Sequence, residues 1–298
     1  MDKMQKPILV SVIVLSYKHK DFIERALRSV IYQTFTDFEI IYIDNNSADG
    51  TFERGSSVLE NSNVSYKAEK LSENLGIARG FNYAINTYAK GNFIATLAGD
   101  DWWDMDNLKY KVEYFLQHEE CGMVYGNGYS YDNNTEEISI FYRSPSVSGW
   151  VLKELLKSPN INPQGILYKR SVIKSLNYFD DKAKVEDRDL WYRIAQVAPI
   201  GYVHKPLTFY RVNHSGNISR NIEYMRQGNE YFFAKYEKEF PDEIKLARLR
   251  QYQYFAYFLA TNQPSIESLK FMLKNYKLNW LYNKQIVKCI FKLVNQRK

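Results

Sequence analysis

The chain begins with strand and helix patterns in alternation. Ile8 to Leu15 (Ile-Leu-Val-Ser-Val-Ile-Val-Leu) is an apolar run of the kind found in a strand buried on both faces of a parallel sheet. A polar loop follows, Ser16-Tyr17-Lys18-His19-Lys20. Asp21 is then placed to cap a helix in which Phe22, Ile23, Ala26, Leu27, Val30 and Ile31 keep helical spacing. Phe38 to Ile43 is a second apolar run, ending in the polar stretch from Asp44 to Thr51. Strand, helix and strand in this order predict a right-handed crossover and a parallel pair.

The alternation continues. A short strand is expected over Val64 to Lys67, a helix over Ile77 to Ala89 and a buried strand over Phe93 to Leu97. Leu108 to His118 reads as an amphipathic helix and Met123 to Tyr131 as a strand. Shorter signals follow: a strand near Ile138 to Tyr142, a helix from Trp150 to Lys157, the apolar pair Ile166-Leu167 and a helix from Arg170 to Leu176. A helix over Leu190 to Val197 follows the acidic run Glu186-Asp187-Arg188-Asp189, and strands are expected over Gly201 to His204 and Pro206 to Val212. From residue 220 the pattern is helical, over Tyr224 to Tyr236 and Ile244 to Leu259. A last amphipathic stretch carries Leu278, Leu281, Tyr282, Ile286, Ile290, Leu293 and Val294, with Lys284, Lys288 and Lys292 beside them.

Composition adds limits. The 298 residues, 45% hydrophobic and 25% charged, belong to a globular chain with room for one large domain and an appendage. Cys121 and Cys289 have no metal-ligand spacing, so a reducing compartment is the default. There is no signal-peptide pattern at the N-terminus and no apolar run long enough to span a bilayer, so a cytoplasmic protein is expected. The net charge of +6 is uneven: Arg220 to Lys298 holds fifteen Lys and Arg against seven Asp and Glu, a net of +8. A basic amphipathic tail suits an anionic membrane surface on the inner face of the cell membrane; packing on the body with a solvated basic face is the alternative. The body has no basic stripe, which argues against a nucleic-acid partner.

Candidate chemistry gathers at predicted strand ends, where open α/β sheets bind ligands. The loop after the first strand contains no glycine, which excludes the Gly-x-Gly-x-x-Gly dinucleotide fingerprint, and no phosphate-binding Gly-x-x-x-x-Gly-Lys-Ser/Thr loop occurs. The Phe93 to Leu97 strand ends in Ala98-Gly99-Asp100-Asp101-Trp102-Trp103. Adjacent carboxylates there either cap the next helix or hold a hard divalent cation, Mn²⁺ or Mg²⁺, shared with a diphosphate. Asp44 is placed either to form a turn or to accept from a base or ribose. Arg79, in a first helical turn, is placed to reach a phosphate. The acids at 186, 187 and 189 either stabilise a helix start or form a reactive cluster.

Four separated segments together resemble the family 2 inverting glycosyltransferases of GT-A fold, a Rossmann-like α/β sheet flanked by helices. They are Val10 to Tyr17 with Ile23 to Phe35, Phe38 to Thr51, Glu73 to Asp101 (through Glu73-Asn-Leu-Gly-Ile-Ala-Arg79 and Leu97-Ala-Gly-Asp-Asp101), and Glu186-Asp-Arg-Asp-Leu-Trp191. The resemblance spans residues 8–219. It implies a catalytic domain over 1–219 and a basic helical extension over 220–298. It also implies transfer of a sugar from a nucleotide-sugar, with a uridine diphosphate sugar expected, to a hydroxyl of a glycan or lipid-linked saccharide in bacterial cell-surface polysaccharide synthesis.

The same resemblance implies residue roles. Ser16, Tyr17, Asp44 and Arg79 match donor-binding positions, and Asp100 matches the metal-binding last acid of the Asp-x-Asp motif. Ala98 stands where that motif has its first acid, which leaves the ribose contact open and makes Asp101 the expected substitute. Asp187, beside Glu186, matches the catalytic base. Tyr210 to His214, with Arg211, and on to Ser219, resembles a late basic loop closing over the diphosphate, with His214 as a further metal ligand. Trp102, Trp103 and Gln164 are candidates for contacting the acceptor, with packing under the sheet edge as the alternative for the tryptophans. A nucleotidyltransferase is the second enzyme reading, but the Gly-rich basic loop it needs after the first strand is missing. A degenerate, non-catalytic scaffold is the third reading, and Ala98 is its only support.

Overall fold

A computed structural model describes residues 9–141, 146–157, 161–262, 265–274 and 281–295. Two compact units emerge, one from Met1–Leu155 with Pro159–Gly228 and one from Leu156–Ser158 with Asn229–Lys298.

The first unit is built on a mixed sheet. Strands β1 (Val10–Ser16), β2 (Phe38–Asp44), β3 (Tyr66–Lys70) and β4 (Phe93–Ala98) run parallel in the order β3-β2-β1-β4. Helices α1 (Ile23–Ile31), α2 (Thr51–Glu60) and α3 (Ile77–Thr87) make the crossovers. Every residue of β1 and β2 is buried, which explains why both strands read as apolar runs; the polar interruptions, Ser11 and Glu39, satisfy each other, Ser11 Oγ donating to Glu39 Oε1 at 2.7 Å. The apolar face of α1, Ile23, Ala26, Leu27 and Val30, packs into the same core as Val10, Val12, Val14, Phe38 and Ile40. Asp21 does not cap α1: Phe22 precedes the helix and no side chain caps it. Instead the His19 carbonyl accepts from Phe22 N and Ile23 N at 2.9 and 2.8 Å and so starts the helix from the loop backbone.

Past β4 the sheet is mixed. β8 (Leu167–Lys169) runs antiparallel to both of its neighbours, β4 and β6 (Met123–Asp132), while β6 pairs parallel with β9 (Ile200–Val212) and antiparallel with the short β7 (Ile138–Ile140). A two-residue strand, β5 (Trp102–Trp103), closes the far edge against β9. Helices α4 (Asn107–Gln117), α5 (Leu152–Lys157), α6 (Arg170–Ser175) and α7 (Glu186–Val197) complete the unit. The two strands expected over 201–212 form one long strand running through Pro206. The proline sits where the β6–β9 register shifts, so its missing N–H costs no ladder bond.

Beyond the one-turn 3₁₀ segment Ile218–Arg220, the chain forms α8 (Ile222–Tyr236), α9 (Pro241–Asn262), α10 (Ile266–Lys274) and α11 (Leu281–Asn295). Ala256, Ala260, Met272, Ile286 and Cys289 form the small core of α9, α10 and α11. The orientation of α11 differs from the sequence expectation. Lys288 and Lys292 donate to the hydroxyl and carbonyl of Thr261 on α9, and Val287 (65% exposed), Ile290, Phe291 (66%) and Val294 face outward. Leu278 lies outside the described residues. No helix among the described residues is long and apolar enough to cross a membrane.

Candidate active site

Strand register brings the expected residues to one edge. Ser16 pairs with Asp44, and Leu15 pairs with Ala98, so β1, β2 and β4 end level with one another. The loops leaving these three carboxyl ends form the floor of the site.

On the β1–β2 side the polar groups are bound tightly to each other. The buried Asp44 carboxylate accepts from Ser16 Oγ at 2.9 Å, Ser47 Oγ at 2.7 Å and Ser47 N at 2.7 Å. Three of the roughly four lone-pair directions of that carboxylate are therefore used inside the protein. Lys18 N donates to Ser47 Oγ at 2.8 Å, tying the loops after β1 and β2 together. Asn45 reaches the next loop: its Oδ1 accepts from Leu75 N at 2.8 Å and its Nδ2 donates to Gly76 O at 3.3 Å. That loop opens α3, where the exposed Arg79 donates from Nε to Leu75 O. Tyr17, which follows Ser16 directly in the loop after β1, is 39% exposed.

On the β4 side two imidazoles approach one carboxylate. His214 Nε2 lies 3.1 Å from Asp100 Oδ2, and His19 Nε2 lies 3.7 Å from the same oxygen. Burial works against the charged form of Asp100, but the His214 contact and the two imidazoles outweigh it and hold the carboxyl below its usual range. Burial lowers the pKa of His19 in spite of Asp100. His214 Nε2, His19 Nδ1 and Asp101 Oδ2 are buried without an aligned hydrogen-bond partner.

Asp101 is turned away from this point. Its Oδ1 accepts from Arg211 N at 2.7 Å, and burial followed by the charge of Asp100 pushes its carboxyl well above the usual range. Arg211 donates from Nε to Asp100 O at 2.9 Å and from Nη1 to Asn133 Oδ1 at 2.9 Å. Ser219 Oγ accepts from Tyr210 OH and donates to Asn217 Oδ1, and Asn217 Nδ2 donates to Arg211 O, so the loop after β9 is folded back on its own strand.

The tryptophans pack and present no face to a sugar. Trp102 and Trp103 are 5% and 3% exposed. Phe209 stacks on Trp102 at 5.0 Å and 7°, and the Arg25 guanidinium lies 3.5 Å from the centre of the same ring. The packing alternative replaces the acceptor contact expected for these two residues. Gln164 is nearly buried in a loop held by Asn162, which donates to Thr208 Oγ1 at 2.7 Å.

The acidic run forms the first turn of α7. Asp189 is consumed structurally by Arg193 at 2.7 Å. Glu186 and Asp187 each keep part of their surface open. Burial pushes both above the carboxylate range; the charge of Asp187 adds to the rise of Glu186, while the Arg188 N–H, donating to Asp187 Oδ1 at 2.6 Å, restrains Asp187. A carboxylate raised in this way and still reachable is suited to general-base work. Their charges also act on Tyr168 of β8, whose OH accepts from Trp191 Nε1.

For a divalent ion, the donor set in hand is Asp100 with His214. Among the described residues no group of three or more His, Cys, Asp or Glu side chains is placed to hold a metal ion. The buried His214 Nε2, close to Asp100 but not hydrogen-bonded to it, is the observation that fits a cation between them. A carboxylate with an imidazole suits Mn²⁺ better than Mg²⁺.

The sequence model described as Glycosyl transferase family 2 matches residues 11–176, more than half of the chain. The chain belongs to that family. Its curated relatives include two Escherichia coli enzymes named UDP-Glc:alpha-D-GlcNAc-diphosphoundecaprenol beta-1,3-glucosyltransferase. WfaP is 28% identical over 74% of this chain and 84% of its own length, and WfgD is 30% identical over 74% and 83%. Among solved structures, S. aureus TarS 1-349 in complex with UDP-GlcNAc aligns at a TM-score of 0.63 with 18% identity, covering 89% of this chain and 79% of that one. The Pyrobaculum calidifontis mannosyltransferase PcManGT in complex with GDP-Man and Mn²⁺ aligns at 0.64 with 17% identity, covering 99% and 89%. These likenesses establish the GT-A fold, and the family makes the protein a glycosyltransferase. The family match ends before Asp187, Arg211 and His214, so the placement of these residues rests on the geometry alone.

His19, Asn45 and Lys111 escaped the sequence reading. For His19 a signal existed, since it follows the first strand in a loop at the reactive edge. For Asn45, and for the buried Lys111, whose Nζ donates to Asn107 Oδ1 at 2.5 Å and to the Gly165 carbonyl, nothing in the local pattern marks the contact each one makes.

Proposed function

We propose that this glycosyltransferase moves a sugar from a nucleotide-sugar, with a uridine diphosphate sugar as donor, to a hydroxyl of a lipid-linked or glycan acceptor, with inversion and with a divalent ion. The observation that carries the reading is the approach of His214 to Asp100 at the end of β4, next to the hydrogen-bonded ends of β1 and β2. Two relatives act from UDP-Glc on a diphosphoundecaprenol-linked sugar, one structural neighbour holds UDP-GlcNAc and another holds GDP-Man with Mn²⁺. These support the donor class, the lipid-linked acceptor and the metal.

In this reading residues 1–219 carry the chemistry. Ser16, Tyr17, Asp44 and Arg79 surround the nucleoside. Asp100 and His214 hold the ion, which supplies positive charge for the leaving diphosphate. Arg211 and the loop to Ser219 border the diphosphate, and Gln164 borders the acceptor. Asp187 takes the proton from the acceptor hydroxyl as its oxygen attacks the anomeric carbon from the side opposite the diphosphate. The bond from that carbon to the diphosphate oxygen breaks, and its electron pair leaves with the nucleoside diphosphate. Glu186, held protonated beside the base by burial and by the charge of Asp187, borders the same acceptor hydroxyl. Residues 220–298 bring the enzyme to an anionic membrane surface, where a lipid-linked acceptor resides; the net charge of +8 and the apolar outer face of α11 support this.

The test is thermal stabilisation by UDP, GDP, CMP, dTDP and ADP, each with and without Mn²⁺. A ligand that binds only the native state raises the melting point with its saturation. A Mn²⁺-dependent shift with UDP alone supports the reading. A shift with another nucleotide rejects the uridine donor, and no shift with any nucleotide favours a non-catalytic scaffold.

A further inference from the structure

Trp102 and Trp103 are packed away from any acceptor, but a different ring stands beside the acids. We propose that Tyr224, in the first turn of α8, is the aromatic platform on which the acceptor sugar lies against Asp187 and Glu186. This rests on the transfer reading above and adds a residue beyond 1–219, the segment to which that reading gives the chemistry.

The backbone places the ring. Asn221 Oδ1 accepts from Tyr224 N at 3.0 Å and so caps the start of α8. Gly228 lies four residues further on and shares a face of the helix with Tyr224. That face meets the chain leading into α7. A β-carbon at Gly228 would come within 2.6 Å of Val185 Cγ2, 3.0 Å of Lys184 Cβ and 3.2 Å of Val185 N. Glycine permits this close approach of helix to chain, and Val185 directly precedes Glu186 and Asp187. Lys184 holds the same turn: its Nζ donates to Gln227 Oε1 and lies 5.1 Å from the centre of the Tyr224 ring. The first two turns of α8 are thus pinned beside the acidic pair. Burial, and after it the charge of Glu186, raises the pKa of Tyr224, so the phenol is within electrostatic reach of the pair.

Exposure separates this ring from its neighbours. Tyr168 also feels both acids, but it is 1% exposed and its OH accepts from Trp191 Nε1. Trp191 is itself 4% exposed. Tyr224 is half-buried, so part of its surface is open. A pyranose has an apolar C–H face and hydroxyls around its edge. Laid on an aromatic ring, it buries the apolar face and leaves a hydroxyl at the edge for the base.

The test is saturation-transfer NMR on the full chain with UDP and Mg²⁺. The probes are the methyl α-pyranosides of glucose, N-acetylglucosamine and galactose, each titrated to give an affinity. Wild type is expected to transfer saturation to the ring C–H protons of at least one probe. Tyr224→Ala is expected to weaken that probe by about three- to tenfold, and Tyr224→Phe, which keeps the ring, to match wild type. The UDP-induced melting shift is expected to be the same in all three proteins, which shows that the variants fold and keep the donor side. With that shift present, three results each overturn the Tyr224 assignment and leave the transfer reading standing: no probe binds wild type, Tyr224→Ala binds as wild type does, or Tyr224→Phe loses as much as Tyr224→Ala. If wild type shows no shift with UDP, the transfer reading falls and this assignment with it.

Discussion

Arg211 donates twice to the turn that holds Asp101: its backbone N–H to Asp101 Oδ1 at 2.7 Å, and its Nε to the carbonyl next door, that of Asp100, at 2.9 Å. The pair locks the turn after β4 to β9. Asp101 is thus spent on backbone, and the ribose contact left open by Ala98 is not taken up by its bonded oxygen.

Asp101→Ala should therefore act on stability first. Loss of a buried acceptor costs about 1–3 kcal/mol, and Asp101→Asn, which keeps an acceptor oxygen, should stay close to wild type. The raised pKa of Asp101 sets the pH sign. The folded state keeps a proton that the unfolded chain releases, so this contribution is present below the unfolded carboxylate value near about 3.9 and lost as pH rises through the folded one. Urea unfolding of wild type and Asp101→Asn between pH 4.5 and 7.5 checks this; parallel pH profiles would count against it.

Asp187→Asn should remove transfer by about 10²–10⁴-fold while leaving UDP binding intact. Equal loss of both would sink the base assignment. The rate should rise with pH along a limb above the ordinary carboxylate range, because burial disfavours the charged base. Glu186 keeps its proton through that limb, because burial and the charge of Asp187 push its carboxyl higher still, so Glu186→Gln should leave the limb in place, measured as kcat/KM against pH.

Asp100→Ala should abolish the Mn²⁺-dependent part of the UDP-induced melting shift. An unchanged metal dependence would reject Asp100 as a ligand.

Lys111 is fully buried, donates to Asn107 Oδ1 at 2.5 Å and to the Gly165 carbonyl, and has its pKa pushed down to about 7 by burial. An unfolded lysine titrates near about 10.4. Between these values the unfolded chain binds one more proton than the folded one, so stability should rise with pH across that window, by up to about 1.4 kcal/mol per pH unit. Lys111→Met should remove this slope. Urea unfolding at pH 7 and 9.5 decides it, and equal slopes would show that the ammonium is not the source.

Pelleting with phosphatidylglycerol vesicles should capture the full chain, and Phe291→Asp with Val287→Asp should release it. The apolar face is the part on trial, because Lys288 and Lys292 are turned to Thr261. Unchanged pelleting of the double variant would refute docking through α11.

The strands β1, β2 and β4 and the crossover helices were readable because burial on both sides leaves a mostly apolar run, and one-sided burial leaves a helical stripe. Asp44, Asp100 and the acids at 186 and 187 were readable because each stands where such a run stops or a helix starts. β5 was not, since two residues are too few to show a period, and Trp102 and Trp103 look alike whether they stack on a ligand or on Phe209 and Arg25. The α11 lysines misled for a related reason: a helical stripe shows which residues share a face, not which face meets a neighbour.

By itself, then, the sequence determined the family, the α/β order of the body and the strand ends that carry acids, because these follow from local periodicity and from residues adjacent in the chain. Only the tertiary structure decided which polar groups meet. It set His19 and His214 around Asp100, turned Asp101 toward Arg211 and closed Asp44 with Ser16 and Ser47. Such contacts join loops distant in sequence, and their partners are chosen by strand register and burial, which leave no trace in the neighbouring residues.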